Sequence, residues 1–452
     1  MKTIFITSFE GLETKNILRT AILRTIVESG VRVVLLVQSK ERMAYHRREF
    51  GEHRLAYELV GNIPVTGLDA LFRVLKFLLL RSETMRLRKK MKYEIDHAAF
   101  AYYGGLAASW LLARKTARSI IRVLDYALVK NTTYDVLFER YRPDLVLLSN
   151  LFNEPEVHFL RAAKKYNVRS VGFINSWDKV SGRCILRLLP DKLVVFNDIV
   201  KEEVMRYDDM PETDIFTGGL PQYDQYFGAP PPASREEFFR SIGLDPATRL
   251  ILYAPVGATF SDSDWDMIDL IYAMRDQGAF GDHVSVLVRF PPNEQLDMRE
   301  VARRPFLTYD YPGIRFTSER GSDWDMTADD TQHLIDTLYH MSLLVCYASS
   351  LSIDAAVFDK PVINVNFEVK KNQYLLKSPT QYYGTTHYQK ALRAGGIRLA
   401  GSREELAAWA MRYLEDPSHD REGRKRLVRE QCRFTDGKSG ERIGTFVLHQ
   451  FV

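Results

Sequence analysis

Short β-branched or leucine-rich runs alternate with helix-period segments along most of this 452-residue chain. That alternation admits few folds, because it is the signature of parallel sheets covered by helices. The opening unit predicts a strand over 2–7, a loop over 8–14 containing Gly11, a helix over 15–29 closed by Gly30, and a strand over 31–37. A second set predicts a strand over 144–148, a helix over 155–166, and strands over 170–174 and 192–196. These strand runs are short and nearly continuously apolar, as strands buried on both faces are. After Tyr226 the text becomes Gly228-Ala229-Pro230-Pro231-Pro232-Ala233-Ser234, which can continue neither a helix nor a central strand. The alternation then restarts, with strands over 250–254, 284–289, 343–347 and 361–365. The prediction is two doubly wound α/β domains, residues 1–227 and 235–452, joined by a linker over 228–234. Ligands of open α/β sheets sit outside the carboxyl ends of the strands, so the two sheets are expected to face a ligand cleft.

One stretch, 69–130, departs from this pattern and reads as a helical insertion in the first domain. It carries thirteen basic residues against five acidic ones, in a chain whose net charge is only +4. Leu71, Phe72, Leu75, Leu78 and Leu79 form one helical face beside Arg73, Lys76 and Arg81, and a cluster of bases follows over 86–92. An apolar face flanked by cations is how a peripheral protein rests on anionic lipid, so residues 71–92 are read as a contact with an anionic membrane surface. A helix packed on its own domain with a solvated basic face is the alternative. The apolar run 71–80 falls far short of the roughly 20 residues that cross a bilayer. The mild net charge argues for no nucleic-acid partner. Cys184, Cys346 and Cys432 are odd in number and widely spaced, which fits neither a disulfide framework nor a zinc site and points to a reducing cytoplasm. The apolar start of the chain stops at Thr7-Ser8, too soon for a signal peptide.

The segment 336–367 is the most informative for chemistry. Its predicted strand ends in Ala348-Ser349-Ser350, and a helix begins about there. Hydroxyls and unsatisfied N–H groups at a helix start attract anions, and a diphosphate fits such a place, although an ordinary serine cap reads the same way. Asp354 follows one turn after Ser350, suited to a ribose hydroxyl or to a structural partner. The pentapeptide Ser-Asp-Trp-Asp-Met occurs at 263–267 and again at 322–326. Asp262 and Asp264 superficially match a divalent-cation site, but with Asp266 they open a predicted helix, where carboxylates offset the dipole. Trp324, in a predicted loop, is placed to stack on a nucleobase or simply to pack. No Walker-type loop, Ser-His-Asp arrangement or metal-ligand cluster is found, so neither cofactor nor metal is expected.

The run from Leu343 through Pro361-Val362-Ile363-Asn364, then His387-Tyr388, Ser402-Arg403-Glu404-Glu405-Leu406, Asp416-Pro417 and Asp436-Gly437-Lys438-Ser439-Gly440-Glu441-Arg442-Ile443, resembles the C-terminal half of bacterial surface-polysaccharide enzymes of the GT-B type. The family it looks like is that of the CDP-glycerol glycerophosphotransferases. Ser176-Trp177-Asp178-Lys179, Asp191 to Phe196 and Thr217 to Asp224 resemble the family's segments before the linker. The resemblance spans roughly 144–452 and omits the basic helices. It implies a transferase that takes a sugar or polyol phosphate from a nucleotide-activated donor, held mainly by the second domain, to an acceptor against the first. The expected activity is that of a glycosyltransferase acting on a lipid-linked or growing glycan acceptor. Arg289, Ser349 and Ser350 would neutralise the leaving diphosphate without a metal, with Asp354, Trp324 and His387 also on the donor. The general base would come from a loop of the first domain, with Asp178 preferred, then Glu10, then Glu154. The work would be done in the cytoplasm, peripherally on the inner face of the cell membrane. The family commonly has His-Pro after the arginine, whereas this chain reads Arg289-Phe290-Pro291. That departure favours sugar transfer over polyol-phosphate transfer. The double fold also accommodates a sugar-nucleotide 2-epimerase, or a non-catalytic scaffold that binds a nucleotide sugar.

Overall fold

The computed structural model describes all residues except 53, 62, 66, 229–231, 317–322, 371–373 and 452. The linker residues Ala229-Pro230-Pro231 therefore lie outside the described residues. The chain divides into one unit of Met1–Lys89, Ala98–Gly228 and Cys432–Val452, and a second of Lys90–His97 and Ala229–Gln431.

The first unit is built on a seven-stranded parallel sheet: β1 Thr3–Thr7, β2 Arg32–Val37, β3 Leu55–Leu59, β4 Leu145–Leu148, β5 Arg169–Phe173, β6 Lys192–Val195 and β7 Ile215–Thr217. The spatial order is β3-β2-β1-β4-β5-β6-β7, so the winding reverses between β1 and β4. Ile4 pairs with Leu145 and Phe5 with Val146 across that junction. Phe5, Val34, Val146, Leu193 and Phe159 belong to one buried cluster, which is why these strands lack polar alternation. The predicted helix over 15–29 is broken. A π-helical turn, Thr14–Leu18, is followed by a new helix, Ala21–Glu28, headed by Thr20, whose hydroxyl accepts from the Ile22 N–H (3.3 Å).

The last helix, Ser439–Leu448, packs along Ala21–Glu28. A Cβ at Gly440 would lie 2.9 Å from the Ala21 nitrogen, and one at Gly444 would lie 2.8 Å from the Thr25 Cβ. Two glycines one turn apart thus let the backbones approach. This contact corrects the predicted second domain, because residues 432–452 belong with the first unit.

The insertion forms four helices, Gly67–Leu78, Glu83–Asp96, Ala99–Leu112 and Lys115–Leu128. Two of them are inside out. Gly67–Leu78 buries Asp69 and Lys76 while exposing Leu68, Leu71, Val74 and Phe77, and Lys115–Leu128 buries Arg118, Arg122 and Asp125 while exposing Ile120, Val123, Leu124 and Leu128. The inward charges meet partners from the body of the unit. Arg187 pairs with Asp69 (2.8 Å), Asp125 (2.8 Å) and Glu154 (2.5 Å), Lys76 with Glu154 (2.7 Å), Arg161 with Asp125 (2.5 Å) and Arg118 with Asp209 (2.6 Å). Against the upward push of burial, the nearby His158 and the Arg187 guanidinium hold Asp69 well below the usual carboxylate range. The predicted lipid face is thereby revised. Phe72 and Leu79 are buried, and Lys76 points inward with Arg73 beside it on Asp69 (2.8 Å).

The second unit has a six-stranded parallel sheet of β8 Arg249–Ala254, β9 Val284–Arg289, β10 Tyr309–Asp310, β13 Leu343–Cys346, β14 Val362–Val365 and β15 Arg398–Ala400. Its order is β10-β9-β8-β13-β14-β15. A two-stranded antiparallel ribbon, β11 Ile314–Arg315 and β12 Trp324–Asp325, stands apart from it. Trp324, predicted in a loop, is therefore a strand residue paired with Arg315.

Candidate functional site

In the second unit the winding reverses between β8 and β13, the place where open parallel sheets bind ligands. After β8, Gly257 adopts φ +91°, and a Cβ there would lie 2.4 Å from the Glu294 Cγ, so the turn admits only glycine. Its N–H donates to the Asp264 Oδ2 (2.7 Å). Burial pushes Asp264 up to about 6, against the pull of that hydrogen bond. The neighbouring acids are ion-paired, Asp262 with Lys377 (2.9 Å) and Asp266 with Lys370 (2.5 Å).

After β13, Ser349 and Ser350 lead into the helix Leu351–Val357. The Ser349 hydroxyl accepts from the Leu351 N–H (3.2 Å), while Ser350 is exposed and makes no side-chain cap. A buried network holds this turn from beneath. The Tyr388 hydroxyl donates to the Asn364 Oδ1 (2.6 Å), accepts from the Ser349 N–H (3.3 Å) and lies 3.0 Å from the Ser352 Oγ. The Asn364 amide in turn donates to the Tyr347 carbonyl (3.1 Å) and toward the Cys346 Sγ (3.1 Å). Burial pushes the Cys346 thiol up to about 12, so it is an inert part of the support. Asp354 is buried in the first turn of the helix. His387 precedes Tyr388, and their rings meet edge-on with centroids 6.4 Å apart.

Arg289 ends β9, two strands from β13. Its buried guanidinium donates to Asp310, its register partner on β10, and His333 also approaches Asp310 (3.4 Å). Ser349 and Ser350 thus follow β13, Asp354 lies in the helix after them, and His387 stands beside the Tyr388 that supports the turn. Arg289 is on β9, separated from β13 by β8, and Trp324 lies in the separate ribbon.

The first unit has its own polar cluster at the β1/β4 reversal. Glu10 accepts from Asn153 Nδ2 (2.8 Å) and Asn150 Nδ2 (3.4 Å). Glu13, fully buried, accepts from the Phe9 and Glu10 N–H groups through Oε2. Its Oε1 has no hydrogen-bond partner among the described residues, and the same holds for the Ser8 hydroxyl, the Asn16 Oδ1 and the Asn175 side-chain amide. Glu156, also fully buried, accepts from Thr7 (2.8 Å), Ser149 (3.1 Å) and the Asn150 N–H (2.6 Å). Burial, and then the charge of Glu10, push Glu13 up to about 7, and burial followed by Glu13 pushes Glu156 well above its ordinary value. Asp178 accepts from the Ser176 hydroxyl at the head of the short helix Lys179–Gly182. Glu154 sits instead in the charge network. Against the upward push of burial, Lys76 and then Arg187 lower its pKa, which weakens it as a base. The sequence reading missed Glu13 and Glu156. The one available signal was Glu13 three residues after Glu10, on the loop that leaves a buried strand.

Two doubly wound units, each with polar loops at its reversal point, define the GT-B class of double-sheet transferases. The chain belongs to the family described as CDP-glycerol:poly(glycerophosphate) glycerophosphotransferase, which matches residues 187–449, and it is an enzyme of that transferase type. Among solved structures it is similar to MnaA of S. aureus with UDP (13% identity, 99% of this chain and 96% of that one, TM-score 0.55). It is also similar to the UDP-GlcNAc 2-epimerase of Neisseria meningitidis bound to UDP-GlcNAc (9%, 100% of each chain, TM-score 0.56) and to a glycosyltransferase of Rickettsia africae (11%, 100% and 99%, TM-score 0.50). At these identities the likeness shows the fold. No curated protein matches in sequence.

Proposed function

We propose that this enzyme moves a sugar from a nucleotide-activated donor to a lipid-linked or growing surface-glycan acceptor, without a metal, at the inner face of the cell membrane. The observation that carries this reading is the Ser349 turn, an exposed helix start at a sheet reversal held rigidly by the buried Tyr388–Asn364–Ser352 network. The donor diphosphate lies against Ser349 and Ser350, taking over the Leu351 N–H that the Ser349 hydroxyl now occupies. Asp354 orders that turn or meets the ribose, His387 lies on the sugar side and Trp324 stacks on the base. Arg289 offsets charge on the departing diphosphate, where a fixed cation is worth most. The relatives solved with UDP and UDP-GlcNAc support a nucleotide ligand for this fold.

The first unit holds the acceptor, with Asp178 or Glu10 accepting its hydroxyl proton. Glu13 adds a carboxyl that titrates in the working pH range.

Polyol-phosphate transfer is the second reading, favoured by the family itself and opposed by Phe290-Pro291 after Arg289. A thermal-shift screen with UDP, CDP, GDP and CMP and their sugar and polyol conjugates, in EDTA, separates them. A ligand at a hundredfold excess over its Kd stabilises by about 2.7 kcal/mol. Stabilisation by a nucleotide sugar, weakened in Ser349→Ala and Arg289→Ala and followed by nucleotide release with acceptor, supports sugar transfer. Stabilisation by CDP-glycerol alone supports the second reading, and no response to any donor refutes both.

A further inference from the structure

We propose that the outward face of the helical insertion is a landing surface for an anionic lipid bilayer, made by the helices Gly67–Leu78, Ala99–Leu112 and Lys115–Leu128. This deepens the membrane-side reading above by naming the surface, and it differs from the face expected from sequence.

Inverted helices are costly in water, since apolar area is left wet while charges are buried. Val74 is 59% exposed, Val123 68% and Phe100 94%, while Lys76, Arg118, Arg122 and Asp125 point inward. The two inverted helices turn the same side to the body of the unit, because the single guanidinium of Arg187 pairs with Asp69 of one and Asp125 of the other. Their apolar sides therefore face away together. Ala99–Leu112 packs against Gly67–Leu78 and is tied to the preceding helix by Lys89, whose Nζ donates to the Gly105 carbonyl (2.9 Å). It adds exposed Phe100, Tyr103, Trp110 and Leu111.

Charge selects the occupant. Over 67–81 and 98–130 the only acidic residues are Asp69 and Asp125, both buried, whereas Arg81, Arg114, Lys115 and Lys130 are exposed. A second copy placed face to face would set these cations against each other with no acid to meet them, whereas an anionic bilayer complements them. Trp110, with the Arg114 guanidinium 5.4 Å from its ring centroid, and Tyr103 are amphipathic groups suited to headgroup depth. Among the described residues no helix is long and apolar enough to cross a membrane, so these helices would lie in the interface plane.

The test is co-sedimentation of the whole protein with vesicles of 70% phosphatidylcholine and 30% phosphatidylserine, and with phosphatidylcholine alone. No turnover is measured, so failure of the surface and failure of the transfer reading remain distinct. The protein is expected to pellet with the anionic vesicles. Val74→Ser with Val123→Ser, at exposed positions, should lower partitioning about tenfold or more. Arg114→Glu with Lys115→Glu should do likewise, since each cation near the surface is worth about fivefold. Circular dichroism confirms that the variants fold. Failure of the folded wild type to bind anionic vesicles overturns the proposal. So does unchanged binding by both variants, or a dimer in sedimentation velocity that the serine variant abolishes, which would make a second copy the occupant.

Discussion

Glutamate 13 offers the sharpest physical test. Its folded pKa stands at about 7 against an ordinary 4.5, a rise of about 2.5 units, and each unit corresponds to 1.36 kcal/mol. Because the folded carboxyl holds its proton to higher pH than the unfolded one, the native state binds more protons between about 4.5 and 7. Stability falls as pH climbs through that window. By pH 8 the ionised, buried Glu13 costs about 3 kcal/mol. Glu13→Gln removes the titration while keeping a carbonyl oxygen to accept from the Phe9 and Glu10 N–H groups. The variant should match the wild type within about 1 kcal/mol at pH 5 and exceed it progressively toward pH 8. Glu156 titrates next to it, so the variant should keep a residual slope, and the difference between the two proteins is the quantity to read. Urea titrations at half-unit pH steps, followed by hydrogen exchange of the segment 3–18, confine the measurement to the first unit and avoid assuming that the whole chain unfolds in one step. Parallel pH profiles for wild type and variant would refute the assignment.

Other expected outcomes follow from single contacts. Tyr388→Phe should destabilise the second unit by about 1–3 kcal/mol, because Asn364 and the Ser349 N–H lose a buried partner, and should weaken nucleotide binding in calorimetry. Arg187→Met leaves Asp69, Asp125 and Glu154 short of a shared cation, and a loss of about 3–5 kcal/mol is expected in chemical denaturation. Gly257→Ala combines a positive φ with a collision against Glu294 and should cost about 1–3 kcal/mol, seen as lower urea resistance of the second unit.

The inner strands were legible because each is buried on both faces, so a run such as Thr3-Ile4-Phe5-Ile6-Thr7 declares itself without knowledge of its neighbours. The partly exposed edge strands Leu55–Leu59, Ile215–Thr217, Tyr309–Asp310 and Arg398–Ala400 carry no such run and were missed. The insertion's helices were also legible, but not which side of them faces in. Periodicity assumes that apolar residues turn inward, and Lys76 breaks that assumption because its partner Glu154 is 78 residues further on. The break between Leu18 and Ala21 was invisible for a related reason, since the residues around it keep a helical pattern. Of the donor-side residues, Ser349 and Ser350 were found from a strand-to-helix junction. The Tyr388–Asn364 support beneath them joins positions 24 apart and has no local signature. Glu13 escaped because its importance comes from burial beside Glu156, which only the β1/β4 pairing creates.

The return of the last helix to the first unit bears on how the protein is made. Gly228 and Cys432 are separated by a stretch that belongs to the second unit, and at synthesis rates of 5–20 residues per second that stretch takes about 10 to 40 s to emerge. Throughout that time the Ala21–Glu28 helix is without the Ser439–Leu448 helix that packs along it in the finished protein. The N-terminal unit is therefore the last to be completed, and a nascent chain stalled before residue 432 presents an unfinished apolar face to chaperones while its second sheet is already whole.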